Sequence, residues 1–116
     1  MSKIWHITKR QQWEQAKLAQ VYRSDSLKSE GFIHCSTPQQ VIKVANALFS
    51  GQEGLVLLGI DSEKVEAEIR YEEVDGTERF PHIHGPLNTN AVIEVLDFKP
   101  GVNGQFELPK PVAEMT

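Results

Sequence analysis

GFIHCSTPQQVIKVANALFSGQEGLVLLGI, residues 31–60, is the stretch that decides the fold class. Gly31 frees the backbone, and FIHCS then alternates in the two-residue period of a strand. Phe32, His34 and Ser36 face one way, and Ile33 and Cys35 the other. Thr37, Pro38 and Gln40 supply an N-cap, a proline at the first helical position and a capping-box partner. Val41, Val44, Ala45 and Leu48 follow at i, i+3, i+4 and i+7, the apolar stripe of a helix that Gly51 ends. GLVLLGI is then apolar almost throughout, which predicts a central strand covered on both faces.

Working outward, KIWHIT alternates in the same way: Ile4, His6 and Thr8 share one face, Trp5 and Ile7 the other. Thr8 and Gln11 have capping-box spacing, so a first helix is predicted from there to about Gln20, with Trp13, Ala16 and Ala19 inward. Beyond the decisive stretch, Ala67, Ile69 and Tyr71 alternate with Glu68, Arg70 and Glu72, and Asp75-Gly76 signals a turn. AVIEVLDF and, after the Gly101 to Gly104 turn, GQFELP read as two further strands. Five to seven strands with two main helices predict an α+β fold, its mixed or antiparallel sheet partly covered by helices. Nothing divides the chain, so residues 1–108 are expected to form one globular domain, with 109–116, PKPVAEMT, as a loosely held tail.

The totals narrow the function classes. In 116 residues, 40% hydrophobic and 24% charged, the balance is that of a globular domain able to bury one core. A net charge of −4 gives no diffuse basic field, so nucleic acid is not expected as a partner. The lone Cys35 has no internal disulfide partner and no C-x-x-C mate for zinc, which fits a reducing compartment. No apolar run approaches the roughly 18 residues of a membrane span. MSKIWHITKR lacks the apolar core of a secretion signal, so a cytoplasmic location is expected.

The chemistry-bearing residues collect in i, i+2 pairs on strands: His6 with Thr8, His34 with Ser36, and His82 with His84 in FPHIHGPL. Singly, each histidine reads as a hydrogen-bonded filler, each hydroxyl as a group at a helix start, and Pro81, Gly85 and Pro86 as turn formers. Together they allow sharper readings. H-x-H on a strand can reach one metal ion, with His6 or His34 as a third ligand, although no carboxylate or cysteine spacing supports it. Cys35 as a nucleophile is disfavoured, since alternation turns it towards the core. A pocket for an anionic or nucleotide-like small molecule uses the imidazoles for stacking and hydrogen bonds and the hydroxyls as donors. Arg23, Arg70 and Arg79 are its candidate charge partners, and SDSLKSEG a candidate lid. Glu72 and Glu94 are the candidate carboxylates, with an exposed strand face as the plain alternative for each.

IWHIT, YRSDSLKSEGFIHCSTPQQVIKVAN, LVLLGID, IRYEE, FPHIHGPL, AVIEV and GQFELP, in that order, resemble the domain-of-unknown-function 952 family across nearly the whole chain to Leu108. More loosely, the chain resembles the ADP-ribosyltransferase-like fold. That resemblance implies NAD as a substrate, with His6 and Thr8 at the ribose and His34 and Ser36 facing the pocket. It also implies a glutamate on a later strand, Glu72 or Glu94, which would sit beneath the positive charge that develops on the ribose. His82 and His84 would form a wall of the same cavity. The expected function is binding of a nucleotide-like or anionic small molecule without catalysis. Alternatives are an ADP-ribosyltransferase-type enzyme and a histidine-based metal site.

Overall fold

A computed structural model describes residues 2–74, 76 and 78–113. In chain order the elements are β1 (Lys3–Lys9), α1 (Arg10–Ala19), β2 (Val21–Tyr22), α2 (Asp25–Glu30), β3 (Ile33–His34) and α3 (Val41–Leu48). There follow β4 (Leu55–Asp61), β5 (Glu68–Val74), β6 (Glu78–His84), β7 (Leu87–Asn88), β8 (Val92–Phe98) and α4 (Lys110–Ala113). Antiparallel pairing arranges the strands as β1-β4-β8, β3-β6-β5 and a short β2-β7 ribbon. Trp5 and Ser36 exchange backbone hydrogen bonds of 2.8 Å and so tie β1 to the chain just after β3. The α+β class holds; the single sheet expected from the sequence is instead three antiparallel sheets.

β4 explains why its sequence is apolar throughout. It is the middle strand of its sheet and every one of its residues is buried. Val56, Leu58 and Ile60 join a core with Ile4, Trp13, Ile33, Cys35 and Ile83. Leu55 and Leu57 join a second core with Trp5, Ile7, Val41, Ala45, Phe98 and Phe106. A strand between two cores has no face to spare for polar side chains. β1 follows its predicted alternation, with Ile4 in one core and Trp5 and Ile7 in the other.

Several local expectations are corrected. Thr8 is not a helix cap, because it pairs with Val56 in the β1–β4 ladder and is held extended. Helix α1 starts after Lys9 without a side-chain cap, and Ala19 is exposed while Trp13 and Ala16 are buried. At α3 half of the capping box forms, with the Thr37 N–H donating to Gln40 Oε1 at 3.0 Å, but a turn occupies 38–40 and the helix begins at Val41. SDSLKSEG contains a helix, α2, capped by Ser24, which accepts the Leu27 N–H at 3.3 Å. GQFELP forms no strand: the Phe106 N–H donates to Asn46 Oδ1 at 2.7 Å, and the Phe106 ring stacks on Phe98 at 4.5 Å. The C-terminal tail is held as far as Val112, which is fully buried in the second core; residues 114–116 lie outside the described residues. Gly76 turns at φ +71° between paired Val74 and Glu78; Asp75, the other half of that turn signal, lies outside the described residues. Among the described residues no helix is long and apolar enough to cross a membrane.

Candidate functional site: a cleft and a histidine–glutamate cluster

A cleft of about 400 Å³ is bordered by residues of both three-stranded sheets and by α3. Val44, Leu48 and Phe49 line its α3 side, which is why the last apolar position of that helix, Leu48, is left 73% exposed. His6, Thr8, His34 and Ser36 all border it. Among the described residues its lining holds a single lysine, Lys9, and a single carboxylate, Asp25.

His6, Tyr22, Thr8 and Gln12 form a hydrogen-bonded chain along one side. The His34 carbonyl can only accept, so His6 Nδ1 carries the hydrogen in that 2.5 Å contact. Burial strips water from the imidazole and lowers its pKa to about 4, so the ring is neutral and Nε2 is an acceptor. The Tyr22 hydroxyl lies 2.8 Å from both His6 Nε2 and Thr8 Oγ1, and its one hydrogen can serve only one of them at a time. Thr8 passes its own hydrogen to Gln12 Oε1 at 3.0 Å. Burial also raises the Tyr22 phenol to about 12, against the opposing hydrogen bond with Thr8. Tyr22→Phe is expected to cost about 2 kcal/mol, the loss of buried hydrogen bonds with both partners left wanting, read as a shift in the urea midpoint at constant m.

The second group lies on β5 and β6. Opposite Ile83, which packs in the core, His82 and His84 face the other side of β6. Glu72 of β5 reaches both: His82 Nδ1 stands 2.8 Å and His84 Nε2 2.7 Å from the same oxygen, Oε1. Hydrogen bonds from His84 and then His82 hold the Glu72 carboxyl below the usual carboxylate range. Phe32 stacks on the His82 ring at 4.2 Å, and His34, opposite His82 in the β3–β6 ladder, meets it edge-on at 5.2 Å.

The residues expected to share one cavity therefore divide. His82, His84 and Glu72 do not line the cleft; Phe32 stacks across His82, and of β6 it is Phe80, not the histidines, that borders the cleft. Glu94 lies on β8 outside the cleft, engaged by Lys3 Nζ at 2.8 Å. Arg23 borders a separate hollow beside α1, and Arg70 and Arg79 are on exposed parts of the β5–β6 hairpin, so none of the three supplies charge to the cleft. Cys35 is buried, and burial pushes its thiol up, away from a reactive thiolate. A side chain at Gly85 would meet Ala67 Cβ at 2.9 Å, so that glycine serves close packing. Tyr22 was missed because a two-residue strand shows no alternation, Gln12 because its partner Thr8 lies on the preceding strand, and Phe32 because its stacking role needs β6 beside it.

These features define a small α+β domain of three antiparallel sheets with one polar-edged cleft. The chain belongs to the family described as protein of unknown function (DUF952), whose model matches residues 7–95. It is similar to the crystal structure of protein CC0527 from Caulobacter crescentus, with 31% identity, a TM-score of 0.88 and coverage of 97% of this chain and 99% of that one. The solution NMR structure of CC0527 is similar too, at 32% identity and a TM-score of 0.82 over 93% of this chain and 94% of that one. No curated protein matches the chain.

Proposed function

We propose that the cleft binds a small, neutral, planar ring of the nucleobase or nicotinamide kind, as part of a nucleotide-like ligand, and that the domain binds it without transforming it. The observation that carries this reading is a largely apolar cleft edged by a neutral imidazole and hydroxyls. Such a lining suits a flat heterocycle with a few fixed hydrogen bonds. A bare anion is less well served, since among the described residues Lys9 is the one lysine or arginine of the lining and Asp25 offsets it. The location of Glu72 and Glu94 outside the cleft, each with its own partners, supports binding over catalysis.

A second reading, an enzyme of ADP-ribosyltransferase type acting on NAD, draws on His6, Thr8, His34 and Ser36 at the cleft but lacks a glutamate there. One experiment separates the two. Nicotinamide, adenosine, ADP-ribose and NAD are titrated while tryptophan fluorescence is followed, Trp5 being the indole that borders the cleft. A saturable change with at least one of them, weakened tenfold or more by Val44→Trp and without nicotinamide release from NAD, is the expected result. Release of nicotinamide would replace the binding reading with the enzyme, and no saturable change with any of the four would remove both.

A further inference from the structure

We propose that Glu72, His82 and His84 form a binding site for a zinc-class divalent cation on the β5–β6 hairpin, apart from the cleft. The β5–β6 register sets Glu72 opposite Phe80 and Arg70 opposite His82, so the carboxylate lies diagonally across from His82 on the same face. Three donor atoms from these residues lie within 4.8 Å of one another. Both imidazole nitrogens already converge on a single oxygen, at 2.8 and 2.7 Å. Ligands about 2.1 Å from a tetrahedral ion stand roughly 3.4 Å apart, so a cation would widen each nitrogen–oxygen contact by well under an ångström and hold the two imidazole nitrogens at a similar spacing. The hydrogens that now bridge nitrogen and oxygen would shift to the other nitrogen of each neutral ring, or pass to water from a charged one, as the ion enters.

Two further observations favour a site over a mere strut. His82 has a side chain only 4% exposed, and its other ring nitrogen, Nε2, is buried without a hydrogen-bond partner. Native domains rarely leave a buried polar atom so, and the ring's orientation is set by its contacts on the Glu72 side and by the Phe32 stack. Glu72 and His84, in contrast, have side chains 37% and 21% exposed, which gives an ion a way in and leaves room for water as a remaining ligand. Two imidazoles and one carboxylate suit zinc, cobalt or nickel rather than calcium or magnesium, which take oxygen ligands. Arg70, opposite His82 in the ladder, is held to Glu68 by a 3.0 Å ion pair.

The test is calorimetric titration of the full chain at pH 7 with Zn²⁺, Co²⁺ and Mg²⁺, each as the metal alone. One equivalent of Zn²⁺ or Co²⁺ is expected, the latter with a visible absorption band, and no Mg²⁺. Glu72→Gln and His84→Gln should each weaken Zn²⁺ at least tenfold, while Glu94→Gln, on another sheet, should leave it unchanged. Far-UV circular dichroism checks that each variant is folded; His84→Gln, at the partly exposed edge, decides alone if Glu72→Gln is not. No Zn²⁺ binding by the unaltered chain, or equal affinity in the folded variants, would overturn the site.

Discussion

Between pH 6.5 and pH 4 the domain is expected to lose about 3 kcal/mol of stability through one imidazole, His6. The folded chain holds this ring neutral down to about pH 4, whereas an unfolded chain protonates it near 6.5. Within that window the unfolded state binds more protons, so stability rises with pH. His6's contribution is fully present above 6.5, drains away as the pH falls, and is gone below 4. Burial is the main cause, and the nearby His34 acts in the same direction, while the hydrogen bond to the His34 carbonyl works against both. Below about pH 4.5 the carboxylates held down by hydrogen-bond partners, Glu72 by its two histidines and Glu78 by Lys43 and Gln40, add a further acid loss. Urea unfolding at pH 7, 5.5 and 4 measures the slope, and His6→Gln should flatten it across the window. Identical slopes in the two proteins would mean that the ring charges without disturbing the fold.

Gly59→Val should cost about 3 kcal/mol although it removes no contact, because it overfills a closed space. A Cβ at Gly59 would lie 2.8 and 2.9 Å from two ring atoms of Trp5 and 3.1 Å from Glu94 Cβ. Trp5 pairs opposite Gly59 on one side of β4 and Glu94 on the other, so neighbours press from both flanks. Trp5 is 1% exposed and packed in the second core, so its ring yields only at the expense of those contacts. Gly59→Ala should cost less, about 1 kcal/mol, and the decisive comparison is with Trp5→Leu. In a double-mutant cycle by urea unfolding, Gly59→Ala should be better tolerated once the indole is gone. Simple additivity of the two changes would show that the indole is not what excludes a side chain at 59.

Much of the frame was legible because period reports burial directly. The unbroken apolar run of β4 implied cover on both faces, and two cores provide it. Alternation in WHIT and FIHCS placed each residue on its correct face, Ile33 and Cys35 inward and His34 outward. Elements whose conformation is set by distant partners were not legible. β2 and β7 are two residues long, too short for any period, and exist because each pairs with the other. Thr8 and Gln11 satisfy the spacing of a cap, yet pairing with Val56 keeps Thr8 in a strand. GQFELP has the composition of a strand but joins no sheet, and a side chain, Asn46, accepts the Phe106 amide instead.

The amino-acid sequence by itself determined the α+β class, the central buried strand, a helix bearing the stripe Val41, Val44, Ala45 and Leu48, and the pairing of each histidine with a second polar residue on one strand face. Alternation within a strand is a local property, and local order is enough to specify it. Which of those faces meet was decided only in three dimensions. The order β3-β6-β5 joins segments some fifty residues apart, brings Glu72 under His82 and His84, and leaves His6 beside Tyr22 at the cleft. Convergence of side chains from distant strands depends on strand order and register, which no spacing along a single segment encodes.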